Sequence, residues 1–112
     1  MGTVTRSSFG KPLVLVRSTT TLAADAASNL IPIWSSLGYG VVRVYVESDV
    51  AGTLSIWQKE RSGVFRQTDS LAIAAATGTS AEFLIVGEYV RVRYLNSGTV
   101  QARMALLASL HP

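Results

Sequence analysis

The chain has 112 residues, 48% of them hydrophobic and 15% charged, which gives room for one core and argues against disorder. It has no cysteine, so disulfides and thiolate metal sites are excluded. No secretory h-region precedes the first strand and no apolar run approaches ~20 residues, so the expectation is a chain neither secreted by a signal peptide nor spanning a membrane.

The net charge of +3 comes from ten basic and seven acidic residues. A charged fraction below the ~25% usual for soluble domains suggests that part of the surface is covered in an assembly. A sheet-rich surface made polar by Thr, Ser and Gly is the alternative.

Residues 1–12, MGTVTRSSFGKP, have no sustained period and carry Gly2, Gly10 and Pro12. They read as an N-terminal arm ahead of one β domain over residues 13–112. Val4 and Phe9 are apolar anchors in that arm, and Arg6 and Lys11 suit an acidic neighbour.

Leu13 to Arg17 is short and apolar, so it is expected to be a strand buried on both faces. LAADAAS, residues 22–28, favours helix locally but is too short for a stable one, which leaves a loop or a single turn. Asn29 to Trp34 alternates, and Pro32 cannot donate a ladder bond, which predicts an edge strand.

Val41 to Ser48 predicts a strand with Val42, Val44 and Val46 inward and Arg43, Tyr45 and Glu47 outward. After a tight Asp49–Gly52 connection, Thr53 to Glu60 returns with Leu54 and Ile56 inward. Trp57 then lies on the outer face, either packing across strands beside Tyr45 or anchoring an interface. Short strands are predicted over Val64–Thr68 and Leu71–Ala75, and a longer one over Ala81–Val86.

The clearest signal is residues 87–106, which read as a β-hairpin. Val90, Val92 and Tyr94 point one way, and Tyr89, Arg91, Arg93 and Leu95 the other. Asn96-Ser97-Gly98 reads as a short loop with Gly98 in the left-handed region. Val100, Ala102, Met104 and Leu106 form the returning apolar row. ASLHP is a tail. Eight or nine short strands with evenly spaced turns predict an all-β, antiparallel sandwich, jelly-roll-like.

Catalytic groups are sparse. His111 is the single histidine and lies next to the C-terminus, so a Ser-His-Asp site would stand on a frayed end. The carboxylates are dispersed. Glu47 and Asp49 share a strand end where a hard cation could sit, although a solvated turn accounts for them. No nucleotide or zinc motif occurs, and the reading is of a non-enzyme without cofactor or metal.

Residues 37–60 and 87–107 resemble small β-sandwich virion proteins and tail-fibre modules of tailed bacteriophages. The likeness lies in Asp49, Ala51, Gly52, Thr53 and Leu54, and in Tyr89 to Tyr94 with Asn96 and Gly98. Where such proteins often carry Asp-Gly and a Trp, this chain has Ser62-Gly63 and Phe65. The resemblance implies a virion structural protein with no catalytic residues.

A free-standing chain with its own Met1 suits a capsid decoration (cement) protein on the capsid exterior, made in the host cytoplasm. Its partners would be the major capsid protein, copies of itself, or both, with a trimer expected. A tail, baseplate or fibre module binding a glycan or another virion protein is the alternative. A nucleic-acid-binding protein using Arg43, Arg91, Arg93 and Arg103 is the lesser one. The candidate interface is Val4, Arg6, Phe9, Lys11, Tyr45, Trp57, Tyr89, Arg91 and Arg93.

Overall fold

The computed structural model describes residues 13–28, 33–35 and 38–112. They form eight strands: β1 (Leu13–Ser18), β2 (Ile33–Ser35), β3 (Val41–Ser48), β4 (Gly52–Lys59), β5 (Arg66–Ile73), β6 (Thr79–Leu84), β7 (Tyr89–Asn96) and β8 (Met104–His111). The first sheet has the order β1-β8-β3-β6 and the second β2-β7-β4-β5, and the pairings are antiparallel. This interleaved order is that of a jelly roll.

Alternation places the core. β-Branched and long apolar residues at every second position leave one face of each strand to be covered by the other sheet. Val42, Val44, Val46, Leu54, Ile56, Val90, Val92, Met104 and Leu106 meet in one cluster, as their parity predicts. Leu15, Ile73, Tyr94, Ala108 and Leu110 complete it.

Strand pairing departs from the sequence reading. β7 and β8 are not a hairpin: β7 pairs with β2 and β4, whereas β8 pairs with β1 and β3. Residues 97–103 carry the chain from one sheet to the other. Val100 is accordingly 63% exposed, and Gln101 is buried in its place. β3 and β4 also lie in different sheets, so the Asp49–Gly52 connection crosses the sandwich. Of the eight strands, β4 and β5 are the one consecutive pair that hydrogen-bond to each other. Among the described residues positive φ occurs at Gly38, Asp25 and Ala76, and not at Gly98.

Other boundaries shift. β1 is an edge strand, and Val14 and Arg17 are exposed rather than buried. The two strands expected over 64–75 are one, Arg66–Ile73, with a bulge opposite Ile56 and Trp57. The expected tail is the end of β8, flanked by β1 and β3, so His111 stands on a paired strand. β2 is an edge strand as predicted; Pro32 lies outside the described residues.

Buried amides fasten the crossings. The Gln58 Oε1 accepts the N–H groups of Val86 (2.7 Å) and Gly87 (2.9 Å), and its Nε2 donates to Thr68 Oγ1 (2.9 Å) and the Leu84 carbonyl (3.2 Å). At the other end Asn96 Nδ2 donates to the carbonyls of Ala23 (2.9 Å) and Thr99 (2.8 Å). Gln101 accepts from the Leu22 N–H (2.9 Å) and donates to Ser48 Oγ (2.9 Å). Each satisfies loop backbone that the ladders do not reach.

Candidate functional site: the outer face of the second sheet

β4 and β7 are the central strands of the second sheet, and their outward rows lie side by side. The register sets Lys59 opposite Tyr89, Trp57 opposite Arg91, Ser55 opposite Arg93 and Thr53 opposite Leu95. Their inward rows, Leu54, Ile56, Val90, Val92 and Tyr94, are fixed in the core, so the outward groups stand on a rigid platform.

The aromatic groups are held in place. Trp57 Nε1 donates to Ser55 Oγ at 2.9 Å, which lays the indole along its own strand. The Lys59 ammonium sits 5.3 Å from the Tyr89 ring centroid and 5.4 Å from that of Phe65, within cation–π range of both. Arg91 and Arg93 follow on the same row, two residues and about 7 Å apart. Among the described residues the ion pairs are Arg43–Glu82 and Arg61–Glu88, and neither involves Lys59, Arg91 or Arg93. The face is therefore positive and aromatic, and among the described residues none of its three cations is in an ion pair.

Tyr89, Arg91, Arg93 and Trp57 thus share one surface. Tyr45 does not join them. It sits on the outer face of the first sheet, on the far side of the sandwich, because β3 and β4 cross between sheets. Packing of Trp57 beside Tyr45 is corrected accordingly. Lost hydration and, second, the Glu47 carboxylate that accepts its hydroxyl at 3.3 Å push the Tyr45 phenol above its usual range. Val4, Arg6, Phe9 and Lys11 lie outside the described residues. Lys59, outward by parity, and Phe65 also belong to this surface; their meeting with Tyr89 is not legible, since nothing local reveals that β4 runs beside β7.

The other sequence candidates are engaged elsewhere. Arg43 pairs with Glu82 on the first sheet, so the four arginines weighed for nucleic acid do not share a face. Asp49 accepts the amides of Ala102 (3.0 and 3.1 Å) and Arg103 (3.0 Å) with its two oxygens. These bonds, from Arg103 foremost, hold its carboxyl below the usual range. His111 Nε2 and Ser109 Oγ are 2.8 Å apart. Among the described residues, no carboxylate is hydrogen-bonded to that imidazole, and no group of three or more His, Cys, Asp and Glu side chains could hold a metal. Burial and the nearby Arg43 push His111 below its ordinary value.

The family described as "Uncharacterised protein YqxG N-terminal domain" matches residues 15–111. No significant match was found among curated protein sequences. The fold is similar to that of the PBSX exported protein XepA, with a TM-score of 0.75 and 24% identity over 92% of this chain. That match covers 37% of XepA, so the chain spans little more than a third of that protein. It is also similar to the SPBc2 prophage-derived protein YomS, with a TM-score of 0.54 and 11% identity over 91% of this chain and 96% of YomS.

Proposed function

The chain belongs to the YqxG N-terminal domain family, and from that premise we propose that it is a structural building block of a phage-type particle, docking through the outer face of its second sheet. The observation that carries this reading is the cluster of Lys59 and Trp57 on β4 beside Tyr89, Arg91 and Arg93 on β7, with no carboxylate paired to its three cations among the described residues. Rigid aromatics give contact area at low entropic cost, and uncompensated guanidinium groups select an acidic partner surface.

The phage setting comes from the resemblance of residues 37–60 and 87–107 to virion proteins. Within it, the specific role we favour is capsid decoration on the outer shell, with the major capsid protein or a second copy of the chain as partner and a trimer as the self-assembled form. Residues 1–12, with Val4, Arg6, Phe9 and Lys11, would extend the grip. Many modest contacts then add through valency. A tail or fibre location is the alternative.

The test is to purify capsids free of tails and probe for the chain. It should be retained there, and a Trp57→Ala/Arg91→Gln variant that still folds should be lost. Presence only in tail fractions would overturn the capsid role. Full retention of the variant would overturn the docking face.

A further inference from the structure

The opposite side of the sandwich has a different chemistry. A shallow hollow of about 470 Å³ lies on the outer face of the first sheet, lined in part by Arg43, Tyr45, Ser80, Glu82, Leu107 and Ser109. The register sorts these residues into two adjoining rows. Leu107, Tyr45 and Ser80 lie across from one another, and Ser109, Arg43 and Glu82 form the next row along the strands. An apolar and aromatic strip thus runs beside a strip of donors and acceptors.

These groups are organised in advance. Arg43 is paired with Glu82, and both side chains remain 56% exposed. The Tyr45 hydroxyl donates to Glu47, and Ser109 contacts His111. Tyr45 is 39% exposed, with its hydroxyl end against Gly78. A Cβ at Gly78 would collide with that ring, so the glycine leaves it the space it occupies. Ligand binding would therefore order little that is not already ordered.

The balance of charge selects the ligand. Arg43 and Glu82 cancel, so a polyanion or polycation gains no net attraction from the pair. An apolar protein surface would have to desolvate that ion pair without replacing its water. A polyol suffers neither penalty. Its hydroxyls both donate and accept, so they can bridge guanidinium and carboxylate together, while its C–H face lies on Tyr45 and Leu107. We infer that the outer face of the first sheet is a saccharide-binding site, taking one or two neutral sugar units of a glycan. This goes beyond docking through the second sheet and uses the opposite face, so either reading can fail alone.

The experiment uses the full chain and a panel of neutral hexose and N-acetylhexosamine oligosaccharides, first as an array and then by NMR titration. At least one should bind with millimolar or better affinity and shift the amides of Tyr45, Glu82 and Ser109. Tyr45→Ala and Glu82→Gln should each weaken binding about tenfold, whereas Trp57→Ala and Arg91→Gln should leave it unchanged. If Tyr45→Ala misfolds, the wild-type shift map and Glu82→Gln decide the matter. The inference is overturned if no neutral sugar binds at about 10 mM, if the shifts map to the second sheet, or if Tyr45 becomes protected on raising the protein concentration, which would make a second copy the occupant.

Discussion

Gly52 lies against the hydroxyl of Tyr94. The two residues belong to neighbouring strands of the second sheet, and a Cβ on Gly52 would overlap the phenol and press on the Leu95 carbonyl. Tyr94 is fully buried, so its ring has nowhere to swing. Gly52→Ala should therefore destabilise the fold by about 1–3 kcal/mol through overpacking. The Tyr94 hydroxyl is itself buried beside the Ser48 and Gln101 side chains and makes no hydrogen bond of good geometry among the described residues. Tyr94→Phe should be close to neutral or stabilising, since it removes an unsatisfied polar group. Urea denaturation of the two single variants and the double should show that Tyr94→Phe relieves part of the Gly52→Ala penalty. Strict additivity would mean the clash is not with the phenol.

Gln58 is a polar residue inside an apolar sandwich. Its four hydrogen bonds join β4 to β5 and to the β6–β7 crossing. Gln58→Leu conserves volume but removes the oxygen that accepts from both the Val86 and the Gly87 amide. The expected loss is roughly 1–3 kcal/mol, because the two part-buried donors lose the acceptor they share. Hydrogen exchange should report it first, as faster exchange at Val86 and Gly87 in the crossing than along β7.

Asp49 gives the fold a specific acid sensitivity. Its carboxyl is held below the ordinary aspartate value of 3.8 by the backbone amides of Arg103 and Ala102. A depressed native pKa means that the folded state binds the proton less well than the unfolded one. The stabilisation is therefore fully present above the unfolded pKa and is lost as pH falls through the folded one. Wild type and Asp49→Ala should differ by a constant amount above about pH 5 and converge below pH ~4. A difference that persists into strong acid would assign the effect to packing rather than charge.

The docking face predicts a salt response. Arg91→Gln/Arg93→Gln removes two charges that no ion pair engages among the described residues, without touching the inward rows of the core. Thermal unfolding should move little, while binding to the capsid or to other copies should weaken and lose much of its dependence on ionic strength. Unchanged salt dependence in this variant would exclude these arginines from the contact.

The core itself can be tested at one residue from each sheet. Val92 and Leu106 are both buried. Truncation of either to Ala should cost about 1–4 kcal/mol. A loss under about half a kcal/mol at both would contradict the packing of the two sheets on each other.

What the sequence determined by itself is parity. A strand turns successive side chains to opposite faces, so alternation in 41–48, 53–60 and 89–95 identifies the inward residues whatever the strands pair with. Each inward residue named from β3, β4 and β7, and Met104 and Leu106 of β8, is in the core. Which strand lies beside which is not local. Two strands that are greasy on one face satisfy that pattern equally well as neighbours in a hairpin or as opposed members of two facing sheets. β7 and β8 take the second arrangement. Only the packed structure decides between them, because the choice depends on how all eight strands together cover one core. That decision separates Tyr45 from Trp57, brings Lys59 over Tyr89 and Phe65, and sets Arg43 beside Glu82. The outward residues of β3, β4 and β7 were legible in the sequence. Their division into a cationic aromatic face and a charge-balanced one came from the crossings.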